Sequence, residues 1–128
     1  IHHDAEKLIK FLDLQSVAQR RVSDLPFGTQ KRVELGRALA SKPKLLLLDE
    51  PAAGLNHEEV HALSDLIQQV RDGLHLTVLL VEHHMSMVMS ISDKVVALNF
   101  GRKIADDIPE GVQQHPEVIQ AYLGREAA

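Results

Sequence analysis

An α/β fold with a largely parallel sheet is what the sequence predicts, and three observations indicate it. Four consecutive leucines end in an acidic pair, Asp49 and Glu50, as in a strand that is covered on both faces. A long helical stripe of apolar residues follows, and a second apolar run occupies 76–81. Strand-like segments that alternate with helical ones are typical of parallel sheets whose crossover connections are helices.

The first 42 residues are predicted to be helical. Segment 4–14 has amphipathic spacing, and Asp4 is its candidate N-cap. After a short turn, Pro26 and Gly28 interrupt the pattern, and segment 29–40 consists mostly of good helix formers.

From residue 43 onward strands and helices are predicted to alternate. The run 44–49 is the first strand, stopped by Pro51. Asn56 and Glu59 have the spacing of a capping box, so a helix starts here, and its apolar stripe stops before Gly73. The remaining predicted elements are strand 76–81, helix 85–91, strand 94–98, a turn at 99–101 in which Gly101 takes positive φ, strand 102–105, a helix from Pro109 and a helix over 116–123.

Composition excludes several classes of function. The 128 residues carry 14 cationic and 18 anionic side chains, a formal charge of −4 that disfavours nucleic acid as the main partner. There is no cysteine, which excludes disulfides and thiolate metal sites. No purely apolar run is longer than that of Leu45 to Leu48, which is far shorter than the roughly 20 residues that span a bilayer. No linker or repeat marks an internal domain boundary.

Asp49 and Glu50 are the first candidate site, because open parallel sheets bind ligands at the carboxyl ends of their strands. Neighbouring strand residues point to opposite faces, so the two carboxylates need not have the same role. Asp49 offers oxygen to a Mg²⁺ ion, and Glu50 can orient or deprotonate a water molecule. The plainer alternative is an acidic strand end in solvent.

Two further segments can bind phosphate. A glycine-containing turn at 25–32 leads directly into a helix, where unpaired N–H groups and the helix dipole favour an anion, although every helix start shares these features. His83 follows the second apolar strand and can donate a hydrogen bond to a terminal phosphate. The alternatives for this histidine are a surface residue or a metal site. Such a metal site would combine Glu82 and His84 with His57 or His61, and we expect it to be disfavoured because His83 and His84 diverge along one strand.

Taken in their order along the chain, these segments resemble the ATP-binding cassette ATPases. The resemblance implies a P-loop NTPase-like layered fold with a mainly parallel sheet, together with the end of a helical subdomain. It further implies ATP and Mg²⁺ as cofactors. The resemblance implies that Asp49 is the Walker B magnesium ligand, Glu50 the catalytic base and His83 the switch histidine. It also implies that Gly54 and Asn56 belong to the loop that crosses to the partner subunit. The signature motif would comprise Leu25, Gly28, Thr29 and Gln30.

The carboxy-terminal third narrows the resemblance. Segments 82–89, 93–95, 98–105 and 121–124 are similar to the branch that takes up branched-chain amino acids. This similarity implies the energising subunit of an importer, peripheral on the cytoplasmic face of the plasma membrane. Its implied partners are a second ATPase subunit and transmembrane permease subunits, with no nucleic acid.

The sequence also departs from the family pattern. No phosphate loop of the form Gly-x-x-x-x-Gly-Lys-Ser/Thr occurs, and the chain starts at Ile1, so we expect a carboxy-terminal half that does not hydrolyse ATP alone. Residues 1–42 then end the helical subdomain and 43–128 form the Walker B half, with a slot where the phosphate-loop strand is missing. The substituted motif positions are Pro26, Phe27, Thr29, Asn56, Glu82 and His84. The competing hypotheses are a truncated, non-catalytic interaction module and a DNA-maintenance ATPase of the same family.

Overall fold

The computed structural model describes residues 2–124 and divides into two compact units, Ile1–Glu82 and His83–Ala128. Unit 1 contains α1 (His2–Phe11), short 3₁₀ turns at Gln15–Val17 and Val22–Asp24, α2 (Phe27–Leu39), β1 (Leu45–Asp49), α3 (His57–Leu74) and β2 (Thr77–Val81). Unit 2 contains α4 (Met85–Ile91), β3 (Val95–Asn99), β4 (Arg102–Asp107), α5 (Pro109–Gln114), and α6 (Pro116–Val118), which continues as a π-helical turn over Ile119–Leu123. None of the described helices combines the length and the apolar character needed to cross a bilayer.

The sheet of unit 1 is a parallel pair. β1 and β2 run in register from Leu45 opposite Thr77 to Asp49 opposite Val81, and α3 makes the crossover between them. Parallel strands of equal length end at the same edge, so the segments that follow Asp49 and Val81 start side by side. This confirms the predicted α/β character and the parallel pairing.

The two strands are covered on one face only, so the expectation that both faces are buried was wrong. Leu46 is 4% exposed, whereas Leu47 and Leu79 are 65% and 58% exposed. Alternate residues of a strand point to opposite faces, and the helices of unit 1 cover only the face of Leu46. A run of leucines therefore predicted the apolar character of the strand correctly but not its coverage.

The core of unit 1 joins α1, α2, β1 and α3. Leu12, just after α1, is 1% exposed and lies against Gly36 of α2, where an added Cβ would come within 2.8 Å of its Cδ1. The missing side chain at position 36 thus admits the leucine. The buried residues of this core are Leu12, Leu14, Leu35, Leu39, Leu46, Leu66, Val70 and Leu76.

Three predicted helix ends need correction. α1 begins at His2, so Asp4 lies inside its first turn rather than at the N-cap. α2 begins at Phe27, two residues earlier than expected, because Pro26 has the extended backbone of an N-cap. α3 passes through Gly73 and ends at Leu74, and His75, with a left-handed φ of 51°, takes the C-cap conformation that a glycine usually provides.

Unit 2 is an antiparallel hairpin packed on short helices. β3 and β4 are joined by Phe100 and Gly101, both at positive φ, which is the backbone that a two-residue hairpin turn requires. Within the described residues β2 pairs only with β1, and β3 only with β4. The gap expected between these two strands stays a prediction, because β2 and β3 belong to different units. The subdomain boundary expected at residue 42 remains a prediction.

Asp106 is expected to make the stability of the hairpin depend on pH. Its carboxylate lies 3.0 Å from Lys94 Nζ and 3.2 Å from Lys103 Nζ, and hydrogen bonds from these two groups hold the pKa of Asp106 below its usual 3.8. A carboxyl with a lowered folded-state pKa stabilises the fold above the unfolded pKa and loses that contribution as pH falls through the folded value. We therefore expect the free energy of unfolding to drop below about pH 4, and Asp106→Asn to remove that part of the drop in urea titrations. If Lys94→Met and Lys103→Met together leave the drop unchanged, this assignment is wrong.

Candidate functional site

The acidic pair lies where the two parallel strands end. Asp49 is the last residue of β1 and is exposed, and Glu50 N–H donates a hydrogen bond of 2.8 Å to the carbonyl of Val81. The following turn is fastened to the second strand as well, because Ala52 N–H donates to Glu82 Oε1 at 2.9 Å. Both carboxylates of the pair are thus held at the edge where a ligand of this sheet is expected.

Glu50 has a strained backbone. Its φ of 46° lies in the left-handed region, which is costly for a residue with a Cβ other than asparagine or aspartate. The conformation is held on both sides, by the bond of Glu50 N–H to Val81 and by that of Ala53 N–H to the carbonyl of Glu50 at 3.1 Å. Strained backbone conformations that are held in place by surrounding hydrogen bonds occur most often at functional sites.

The segment 25–32 forms the second part of the site. Leu25 is buried, and the side-chain amide of Gln30 donates to its carbonyl at 3.0 Å, which ties the first turn of α2 to the preceding chain. Gly28 and Thr29 lie in that first turn rather than before it. Pro26, at the N-cap, makes no side-chain capping bond, so the helix start keeps the anion-binding character of first-turn N–H groups.

The loop 52–56 contacts this helix start. Gly54 has φ +80°, and a Cβ there would meet the ring of Phe27 at 3.1 Å. A Cβ at Gly28 would lie 3.2 Å from Glu59 Oε1. Glu59 belongs to the capping box of α3, in which Asn56 Oδ1 accepts from Glu59 N–H and Glu59 Oε2 accepts from Asn56 N–H, each at 2.9 Å. The structure therefore brings the predicted loop and the signature-like segment together.

A cavity of about 250 Å³ lies beside the acidic pair in unit 1. Asp49 lines it, together with Lys31 and Glu34 of α2. Lys31 Nζ is 3.3 Å from the carboxylate of Glu34 and 5.2 Å from the centre of the Phe27 ring. Two acidic side chains and the side chain of Lys31 thus belong to residues that line the same cavity.

His83 belongs to unit 2, and its grouping with the acidic pair remains a prediction. The expectation that His83 and His84 diverge was wrong: their rings stack with centroids 4.8 Å apart and an interplanar angle of 28°. β2 already ends at Val81, so the alternation of a strand does not apply, and His84 occupies the N-cap position of α4.

Glu82 is the residue whose role the sequence did not reveal. Ala52 is fully buried, and its N–H is satisfied by the Glu82 carboxylate. This contact depends on the parallel pairing of two strands that are distant in sequence. The one sequence feature that could have indicated it is the acidic residue after the second strand.

Removal of the Glu82 carboxylate is expected to destabilise unit 1. Glu82→Ala leaves the buried N–H of Ala52 without its acceptor, at a cost of about 1–3 kcal/mol in the free energy of unfolding measured by urea titration. Glu82→Gln keeps an acceptor oxygen and is the matched control, with a smaller loss. Equal stability of the alanine variant and the unmodified chain would contradict this role.

Two family models match the sequence. A model described as ABC transporter matches residues 1–53, and one described as branched-chain amino acid ATP-binding cassette transporter matches residues 102–128. The two matches cover separate segments, one in each unit.

Curated relatives match most of the chain. The high-affinity branched-chain amino acid transport ATP-binding protein BraF of Pseudomonas aeruginosa is 46% identical over 113 residues, which are 88% of this chain and 44% of the relative. The protein LivG of Escherichia coli strain K12, described in the same words, is 45% identical over 107 residues, 84% of this chain and 42% of the relative. The chain therefore spans less than half the length of these relatives.

Solved structures match the fold. An ATP-binding cassette of an ABC transporter in its ADP conformation superposes with a TM-score of 0.85 and 29% identity, over 95% of this chain and 49% of the other. The protein cbiO1 from Clostridium perfringens, part of the ABC transporter complex cbiONQ, gives a TM-score of 0.83 and 28% identity over 93% and 47% of the two chains.

Proposed function

Since the chain belongs to the ATP-binding cassette family, we propose that it forms the Walker B half of an ATPase subunit that drives uptake of branched-chain amino acids. The observation that carries this proposal is the strand-end acidic pair. Asp49 is the last residue of a parallel strand, and Glu50 follows it with a left-handed backbone whose N–H donates to the carbonyl of Val81.

Asp49 fits a magnesium site. Asp49 is exposed at the carboxyl end of β1 and is one of the residues that line the cavity of unit 1, and hard cations prefer carboxylate oxygens as ligands. When bound, Mg²⁺ neutralises the charge that develops on transferring phosphates. Asp49 would hold the ion directly or through water.

Glu50 is proposed as the general base. Its carboxylate would accept the proton of the water that attacks the terminal phosphate, a role that requires a fixed carboxylate within hydrogen-bond reach of that water. The backbone bonds to Val81 and Ala53 contribute to this fixation, since they hold the backbone from which the side chain starts.

The remaining site residues are assigned to contacts across a head-to-tail dimer. The uncapped start of α2 suits the terminal phosphate of a nucleotide bound by the other subunit, and closure of that contact would transmit ATP occupancy to the membrane partner. The proposed roles are signature contacts for Leu25, Gly28, Thr29 and Gln30, loop contacts to the partner for Gly54 and Asn56, and a hydrogen bond from His83 to the terminal phosphate.

The assembled protein would work at a membrane. We place the ATPase pair at the cytoplasmic face of the plasma membrane, bound to permease subunits that carry the amino acid. Residues 1–42 would end the helical subdomain, and 43–128 would form the core half. The sequence lacks a phosphate loop, so the triphosphate must be held by a segment outside these residues.

A chimera tests this function. The amino-terminal part of the Pseudomonas aeruginosa relative, up to the point where the match with this chain begins, is joined to residues 1–128. Isothermal calorimetry should show tight Mg-ATP binding by the chimera and none by residues 1–128 alone. Tight binding by the isolated chain would contradict the proposed division. A folded chimera that binds but never hydrolyses ATP would favour a non-catalytic interaction module.

A further inference from the structure

We propose that His57 and His61 form a surface binding site for a borderline transition-metal ion, with Zn²⁺ as the probe of choice. The two residues are one turn apart in α3, and the segment His57-Glu58-Glu59-Val60-His61 has the His-Glu-x-x-His spacing that presents two imidazoles on one helix face. This inference is independent of the proposed ATPase function.

The two rings are close enough to share an ion. Their centroids are 4.9 Å apart, with an interplanar angle of 87°. Zinc binds imidazole nitrogen at about 2.0–2.1 Å, so two nitrogens on one ion lie no more than about 4.2 Å apart. Since the rings are already in edge contact, we expect side-chain rotation to bring one nitrogen of each to that separation. Both side chains are exposed, so an ion can enter and water can complete the tetrahedron.

The backbone that presents the imidazoles is rigid. His57 is the first residue of α3, directly after Asn56, and the reciprocal Asn56–Glu59 bonds fix that turn. Val60, which precedes His61 in sequence, is 7% exposed, so this turn of the helix is anchored by a buried side chain. A preorganised pair loses less conformational entropy on binding than two mobile histidines would.

Local charge also permits a cation. The start of a helix carries partial positive charge, which opposes metal binding. Glu58 and Glu59 place two carboxylates in the same first turn and offset it. The same exposure argues against hydrolytic chemistry, because His57, Glu58 and His61 are all open to bulk water, so the site is one for binding.

The test separates this pair from the two pairs of histidines that are adjacent in sequence, 2–3 and 83–84. Zinc binding is measured by calorimetry on a background form of residues 1–128 with four substitutions, His2→Gln, His3→Gln, His83→Gln and His84→Gln. One bound ion per chain is expected. Adding His57→Gln or His61→Gln should lower the affinity at least about tenfold, the smallest loss usual when a group that supports a metal site is removed.

The matched control is His75→Asn, which removes a lone histidine at the other end of α3 and keeps a residue tolerant of left-handed φ. It should leave the affinity unchanged, and imidazole ¹⁵N shifts should move only for His57 and His61. Circular dichroism checks that each variant keeps its helix content. If residues 1–128 do not fold alone, the same series of variants is measured in the chimera. Absence of binding by the background form, or equal affinity after His57→Gln, would overturn the proposal.

Discussion

Glu50→Gln in the chimera is expected to slow ATP hydrolysis by about 100- to 10,000-fold, which is the usual contribution of a positioned general base. Glutamine keeps the shape of the side chain and can still hydrogen-bond a water molecule, but it does not accept the proton. The affinity for Mg-ATP should be unchanged, because the phosphate contacts remain. Single-turnover hydrolysis and calorimetry measure the two quantities separately.

Glu58→Gln is the matched control for this substitution. Glu58 is an exposed acid in the first turn of α3 and belongs to no proposed contact with the nucleotide. Its hydrolysis rate should equal that of the unmodified chimera. Unchanged turnover in Glu50→Gln would remove Glu50 from the role of base, whereas weaker Mg-ATP binding would indicate a ligand role instead.

Leu12→Ala is expected to lower the free energy of unfolding by about 2–5 kcal/mol, the range for truncating a buried leucine. Leu12 is 1% exposed and lies in the core that joins α1 and α2 to the sheet. The substitution removes its apolar contacts and leaves a cavity beside Gly36. Urea unfolding followed by circular dichroism measures the change.

Two further variants make this test specific. Leu12→Met conserves volume and should cost less than about 1.5 kcal/mol. Gly36→Ala should be more favourable in the Leu12→Ala background than in the unmodified chain, since the methyl group meets Leu12 Cδ1 at 2.8 Å only when the leucine is present. Additive effects of the two substitutions would contradict the contact.

Local features of the fold were predictable from the sequence. The Asn56–Glu59 capping box involves residues three apart, and the structure contains both of its bonds. Pairing between β1 and β2 was also predictable, since a helix separates two apolar runs. The coverage of Leu47 and Leu79 was not, because burial depends on what packs against a strand and not on its own residues.

The family was predictable from a few residues, whereas the local geometry of the candidate site was predictable only in part. The order of Gly28, Asp49, Glu50 and His83 along the chain indicated the family, which the relatives confirm. The positive φ of Glu50 and the bond from Ala52 to Glu82 depend on the register of two strands distant in sequence. A local sequence pattern does not determine such contacts, and the acidic residue after each strand was the one feature that indicated them.

The most direct measurement is a crystal structure of the Glu50→Gln chimera with Mg-ATP. We expect the Asp49 carboxylate to bind the ion at about 2.0–2.1 Å, or to reach it through one water molecule. The substituted side chain at position 50 should face the terminal phosphate, with His83 within hydrogen-bond distance of the same phosphate. The assignment of this strand end to ATP chemistry would be contradicted if Asp49 could reach neither the metal ion nor the terminal phosphate, directly or through one water molecule.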